Sequence, residues 1–226
     1  MSERVAIVTG AGGELGRSTA EKLAAAGFTV VAVDRSEERL KELPDGIRRE
    51  AGDSADPAAA RSVVDRIAAE VGPPEVLVNT IGMYHLGDAL SATPDDFRLM
   101  MDVNVGSALW LTQAVAPFMR ERGSGAIVHV ASRQGLEPAA GMATYALSKA
   151  ALVQLIRVLD LELRPAGIRV NGVAPQLLNT AVTRSFLTPD LLPHAVAPEA
   201  VADAIVYLVS DAAAPVSGAV VPAYGA

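Results

Sequence analysis

Cysteine is absent from the chain, which excludes disulfides, thiolate metal sites and a cysteine nucleophile. Aromatic side chains make up only 4% of residues, and histidine occurs three times, at His85, His129 and His194. Those positions have no metal-ligand spacing, so no metal site is expected. Basic residues are outnumbered: 19 Lys and Arg against 26 Asp and Glu leave a net charge of −7. That balance offers no basic face to a nucleic acid. No apolar run reaches the roughly 18 residues of a membrane span. The first four residues lead straight into a strand with no apolar leader. The chain therefore reads as soluble and cytoplasmic, with neither nucleic acid nor membrane as a partner.

What is present points to a packed α/β protein. Half of the 226 residues are hydrophobic, enough for a large core. Short apolar runs alternate with helical patterns along the whole length, and neither a repeat nor a linker divides it. The expected fold class is α/β: a single-domain, Rossmann-type, doubly wound parallel β-sheet with helices on both faces, spanning residues 1–226.

Residues 5–8 read as a strand running into Thr9-Gly10-Ala11-Gly12-Gly13-Glu14-Leu15-Gly16 and then a helix over 17–26. Strand, glycine-rich turn and helix form the unit that sets a pyrophosphate on a helix N-terminus. A second strand, 28–33, ends at Asp34, 18 positions after Gly16. A carboxylate there accepts from the adenosine ribose and repels a 2′-phosphate, which favours NAD(H) over NADP(H), although Arg35 beside it leaves NADP open. Further strands near 47–51 and 76–78 end at Asp53-Ser54 and at Asn79. Ligands of open α/β sheets sit outside the carboxyl ends of the strands, so all these residues share one rim.

A helix is expected from the Thr93-Pro94-Asp95-Asp96 cap to about residue 122, with Asn104 inside it among apolar neighbours. A buried Asn must find hydrogen-bond partners. Ser132 closes the next strand. Tyr145 and Lys149 stand four apart on a following helix, hence on one face. An ammonium beside a phenol favours the phenolate. Ser132 is placed to bind the same oxygen that Tyr145 protonates. Residues 181–197 read as irregular, 198–210 as a helix and 216–222 as a last strand.

Together these residues resemble the short-chain dehydrogenase/reductase family over essentially the whole chain. Thr9, Gly10 and Gly16 resemble its Thr-Gly-x-x-x-Gly-x-Gly turn, and Asn79-Thr80-Ile81-Gly82 is similar to its Asn-Asn-Ala-Gly. Asn104, Ser132, Tyr145 and Lys149 match its catalytic tetrad, with Ser132 at the usual 13 residues before Tyr145. Asn171 to Pro175, followed by Thr180, resembles the segment that holds the nicotinamide carboxamide. The resemblance implies an NAD(P)(H)-dependent oxidoreductase acting on a secondary alcohol or ketone. Tyr145 is its general acid/base, Ser132 holds the substrate oxygen, Lys149 lowers the Tyr145 pKa and binds the nicotinamide ribose, and Asn104 anchors a water. Gly10, Gly13, Leu15, Asp34, Asp53, Ser54, Asn79, Tyr145, Lys149, Pro175, Leu178 and Thr180 are the implied cofactor-binding residues. A homo-oligomer is implied, a dimer or tetramer built on the Asn104 and Tyr145 helices.

Three departures stand out. Glu14 occupies the family's middle glycine position, Gln176 follows Pro175 where glycine is common, and 181–197 is short for the usual pair of lid helices. They motivate one alternative, a catalytically silent NAD(H)-binding regulator or scaffold; an NADPH-dependent 3-oxoacyl-carrier reductase is another, which Asp34 disfavours. By position, Met83, His85, Gln134, Met142 and His194 are candidate substrate contacts.

Overall fold

The computed structural model describes residues 4–185 and 192–225. Its frame is one seven-stranded sheet, all parallel, in the order β3-β2-β1-β4-β5-β6-β7. The strands are β1 (Val5–Thr9), β2 (Thr29–Asp34), β3 (Arg48–Ala51), β4 (Pro74–Asn79), β5 (Gly125–Val130), β6 (Ile168–Pro175) and β7 (Val220–Ala223). All five residues of β1 are buried, as a strand covered on both sides requires. Its side chains alternate between two cores: Val5 and Ile7 join one, Ala6 and Val8 the other.

The first core lies under α3 (Pro57–Glu70), α5 (Ser107–Arg122) and α6 (Ala143–Leu163); the second lies under α1 (Glu14–Ala25) and α8 (Pro198–Val209). Helix α3 starts where its sequence says, with Asp56 accepting from the Ala59 amide at 2.7 Å and Pro57 in the first turn. The strand order reverses between β1 and β4, which makes their carboxyl ends the switch point. Asn79 ties that point together. It accepts from Thr9 Oγ1 at 2.9 Å and from the Ile81 amide at 3.0 Å, and donates to Ser107 Oγ at 3.3 Å.

Some boundaries differ from expectation. The long helix is interrupted: α4 (Pro94–Met101) passes through a π turn, Asp102–Gly106, before α5. Such widened turns recur at functional sites, and this one carries Asn104. After β2 comes a single helical turn, α2 (Glu37–Leu40), and Leu40 and Leu43 are both buried. The segment after β6 is not wholly irregular, since α7 (Ala181–Arg184) forms in it under a Thr180 cap. The last strand starts four residues later than expected, at Val220.

Candidate active site

The glycine turn has the shape its sequence implies. Gly10 sits at φ +73, where a side chain is strained, and an added Cβ would lie 2.7 Å from Thr80 Oγ1. A Cβ on Gly16 would come within 2.3 Å of the Gly10 carbonyl oxygen, so α1 can pack this tightly on the turn only with glycine there. Gly13 is the N-cap of α1 and no side chain caps that helix, which leaves its first-turn amides open to an anion. This cradle fits a dinucleotide pyrophosphate. The Asp34 carboxylate accepts from the Gly12 amide at 3.0 Å and the Ser36 amide at 2.9 Å, fixing it beside the turn. Asp53 accepts from the Ala55 amide at 3.1 Å, and the neighbouring Ser54 hydroxyl is buried without a partner among the described residues.

At the other end of the rim a cleft of about 310 Å³ opens between β4, β5, β6 and α6. Ser132, Tyr145 and Lys149 line it together, with Leu15, Pro175, Leu178 and Thr180. Gly10, Gly13, Asp34, Asp53, Ser54 and Asn79 lie outside the cleft, along the same rim. The Ser132 hydroxyl is within hydrogen-bonding reach of the Tyr145 phenol and also donates to Gln134 Oε1 at 2.5 Å. It has one proton to give.

The electrostatics differ from the sequence expectation. Burial pushes the Tyr145 phenol up from its ordinary value; the Ser132 hydrogen bond pulls it back and the nearby Tyr84 adds to the rise. Lys149 is not among the groups that shift it. Its ammonium donates to the Val130 carbonyl at 2.9 Å, and burial lowers it to about 8. The lysine thus lies on the cleft floor with its charge directed at the backbone.

Asn104 is fully buried and fully engaged. Its Oδ1 accepts from the Met83 amide at 2.8 Å, and its Nδ2 donates to the Met83 carbonyl and to Ser148 Oγ, each at 2.9 Å. A Cβ on Gly82 would lie 3.2 Å from Lys149 Nζ and 3.4 Å from Asn104 Oδ1, so these two converge on the chain leaving β4. Asn104 therefore fixes the wall of the cleft. Ser148, which passes its own hydroxyl proton to the Tyr145 carbonyl at 2.7 Å, is the partner sequence reasoning missed.

Of the candidate substrate contacts, Met83, Gln134 and Met142 line the cleft. His85 does not: its Nδ1 meets Thr144 Oγ1 at 3.2 Å and its Nε2 faces Asp96 at 3.5 Å, where it pins the loop to α4 and α6. His194 also lies outside the cleft, exposed in a short turn. Tyr84 was missed. Its ring stands edge-on to Tyr145, centroids 5.2 Å apart, at the cleft wall. The signal was its place five residues past Asn79, in a stretch otherwise read as loop.

Glu14 points away from the pyrophosphate cradle. Its carboxylate accepts from the Ala181 amide at 2.5 Å, joining α1 to α7. Thr180 caps α7, accepting from the Thr183 amide at 3.2 Å, and the base of the segment is closed by a bridge between Leu178 and Val196. Gln176 lines the cleft beside them. Residues 186–191 of the short segment lie outside the described residues.

Residues 4–190 match the short chain dehydrogenase family. The chain belongs to that family. Short-chain dehydrogenases bind NAD(P) and act as oxidoreductases on small molecules, and this chain is one of them. It is 30% identical to the meso-2,3-butanediol dehydrogenase of Serratia marcescens, over 98% of this chain and 93% of that one. It is 31% identical to the 3-oxoacyl-acyl-carrier-protein reductase of Salmonella typhimurium, over 95% and 93%. A short-chain dehydrogenase/reductase structure from Burkholderia xenovorans superposes with a TM-score of 0.93 at 28% identity, covering 98% of this chain and 95% of that one. No helix among the described residues is long and apolar enough to cross a membrane.

Proposed function

We propose that the chain interconverts a secondary alcohol and a ketone with a nicotinamide dinucleotide, using Tyr145 as general acid/base and preferring NAD(H) to NADP(H). The observation that carries this is the convergence of two hydroxyls, Ser132 and Tyr145, on one point of a cleft whose floor is Lys149. When bound, the cofactor supplies hydride to the substrate carbon or takes it away. Tyr145 gives its phenolic proton to the carbonyl oxygen in reduction and removes it in oxidation. Ser132 grips the same oxygen and releases Gln134 as charge grows there, which concentrates donors where the oxyanion develops. Lys149, protonated, offsets the phenolate that Tyr145 leaves behind. Gly10, Gly13 and Leu15 hold the pyrophosphate side, Pro175, Leu178 and Thr180 the nicotinamide side, and Asp53, Ser54 and Asn79 the rim between. The NAD preference rests on Asp34, whose carboxylate keeps lone pairs for ribose hydroxyls after its two backbone bonds.

The test is turnover of a broad ketone and alcohol panel with NADH or NAD. Tyr145→Phe is expected to lose roughly 10²–10⁴-fold of that rate. Identical rates in both proteins would end the assignment. NADPH bound more tightly than NADH would reverse the cofactor preference and favour the 3-oxoacyl-carrier alternative. For the catalytically silent regulator, tight NADH binding by calorimetry without turnover is the signature.

We further propose that the chain works as one catalytic unit over 1–226 and assembles with itself through α4 and α6. Phe97, Leu147 and Leu161 stand 47%, 57% and 69% exposed on those helices, and a contact between copies would cover them.

A further inference from the structure

Lys149 is the only charged side chain lining the cleft among the described residues, and it is buried against the Val130 carbonyl. A carboxylate, sulfonate or phosphate on the substrate would enter without a cation to receive it. The polar groups on offer are neutral, chiefly the amides of Gln134 and Gln176, set among the apolar Met83, Met142, Leu177 and Val182.

Gln134 is engaged at one end only. Its Oε1 accepts from Ser132, while among the described residues its Nε2 has no partner. A carboxamide is planar, so anchoring its oxygen on Ser132 also places its nitrogen, with two N–H donors, next to that hydroxyl. Ser132 is the group that grips the reacting oxygen. When Ser132 turns its one proton to the reacting oxygen, the Gln134 carboxamide is left beside it in the cleft, with its N–H donors free for an oxygen on the adjacent carbon.

We propose that the substrate is uncharged and carries a second oxygen on the carbon next to the reacting one, an α-hydroxy ketone in one direction and a vicinal diol in the other, and that Gln134 reads this second oxygen. The proposal rests on the oxidoreductase reading above. A site built to hydrogen-bond a substrate oxygen turns away the analogue that lacks it, because its own donors are then left unpaired.

The experiment compares kcat/KM for a plain six-carbon ketone, its α-hydroxy counterpart and the 2-oxo acid of the same length, in wild type and in Gln134→Leu. The α-hydroxy ketone is expected to lead the plain ketone by about tenfold, as one good neutral hydrogen bond allows, and the 2-oxo acid to trail both. Gln134→Leu is expected to bring the first ratio close to one, whatever it does to absolute rates through Ser132. Calorimetry on the protein alone supplies a second readout: the vicinal diol binds more tightly than the mono-alcohol, and Gln134→Leu erases the difference. Equal wild-type rates for ketone and α-hydroxy ketone, preference for the 2-oxo acid, or a ratio that survives Gln134→Leu each overturns the proposal and leaves the oxidoreductase standing. Failure to reduce any ketone with either nicotinamide cofactor brings down both. If Gln134→Leu does not fold, the wild-type comparison decides alone.

Discussion

Lys149 reaches its carbonyl partner only by giving up water, and that sets its titration. Its folded pKa of about 8 lies below the ordinary lysine value of 10.5, so the folded state loses the proton first. Below pH 8 the buried charge opposes folding; as pH rises from there toward 10.5 the unfolded chain holds the extra proton and stability is gained. Urea melts at pH 7.5 and 9.5 should show wild type gaining about 2 kcal/mol on Lys149→Met over that interval. A constant difference would mean the ammonium is solvated. His129 shows the same sign at lower pH. It is wholly buried with Nε2 on Thr112 at 3.1 Å and no partner for Nδ1 among the described residues, and burial, helped by Lys149, depresses it to about 3. Its contribution is complete above pH 6.5 and is lost as pH falls toward 3. Between pH 6.5 and 4 wild type should lose about 3 kcal/mol that His129→Gln does not lose. Parallel acid-melt curves for the two proteins would refute this.

Among the elements, α1 and α7 are joined by one side chain. Glu14 gives α1 a favourable charge in its first turn and holds the Ala181 amide. Two variants separate its effects. Glu14→Gly removes charge and contact alike: NADH should bind several-fold more tightly, protease should cut at 181–185 faster, and stability should fall by about 1 kcal/mol. Glu14→Gln keeps an acceptor for Ala181, so binding should tighten while cleavage stays slow. Unchanged cleavage in Glu14→Gly would show that the contact does not hold α7. The π turn between α4 and α5 is a second such device. It lets Asn104 face Met83 and Ser148 at once, whereas Gly106, two residues on, closes against the Trp110 indole.

For the whole molecule the open question is assembly. Phe97 and Leu99 on α4 and Leu147, Val158 and Leu161 on α6 are exposed apolar side chains. Sedimentation should give a dimer or larger species at micromolar concentration, and Leu147→Glu should shift it toward monomer without altering the fold. A monomeric wild type would leave those faces unexplained. The overall architecture was legible from the chain because its signals are local. The continuous apolar run of β1, the Asp56-Pro57 start of α3, the glycine turn and the four-residue spacing of Tyr145 and Lys149 are each written within a dozen residues.

What the sequence by itself determined is therefore the class of fold and which residues meet at its rim, since backbone geometry projects near neighbours onto predictable faces. The state of those residues was decided only by packing between elements far apart in the chain. Burial raised Tyr145, and the Lys149 ammonium one turn away came to rest on a β5 carbonyl. Glu14 turned to Ala181, His85 to Asp96 and Ser132 to Gln134. In each case a polar group took whichever partner the tertiary structure brought within reach, and desolvation left it no inexpensive alternative.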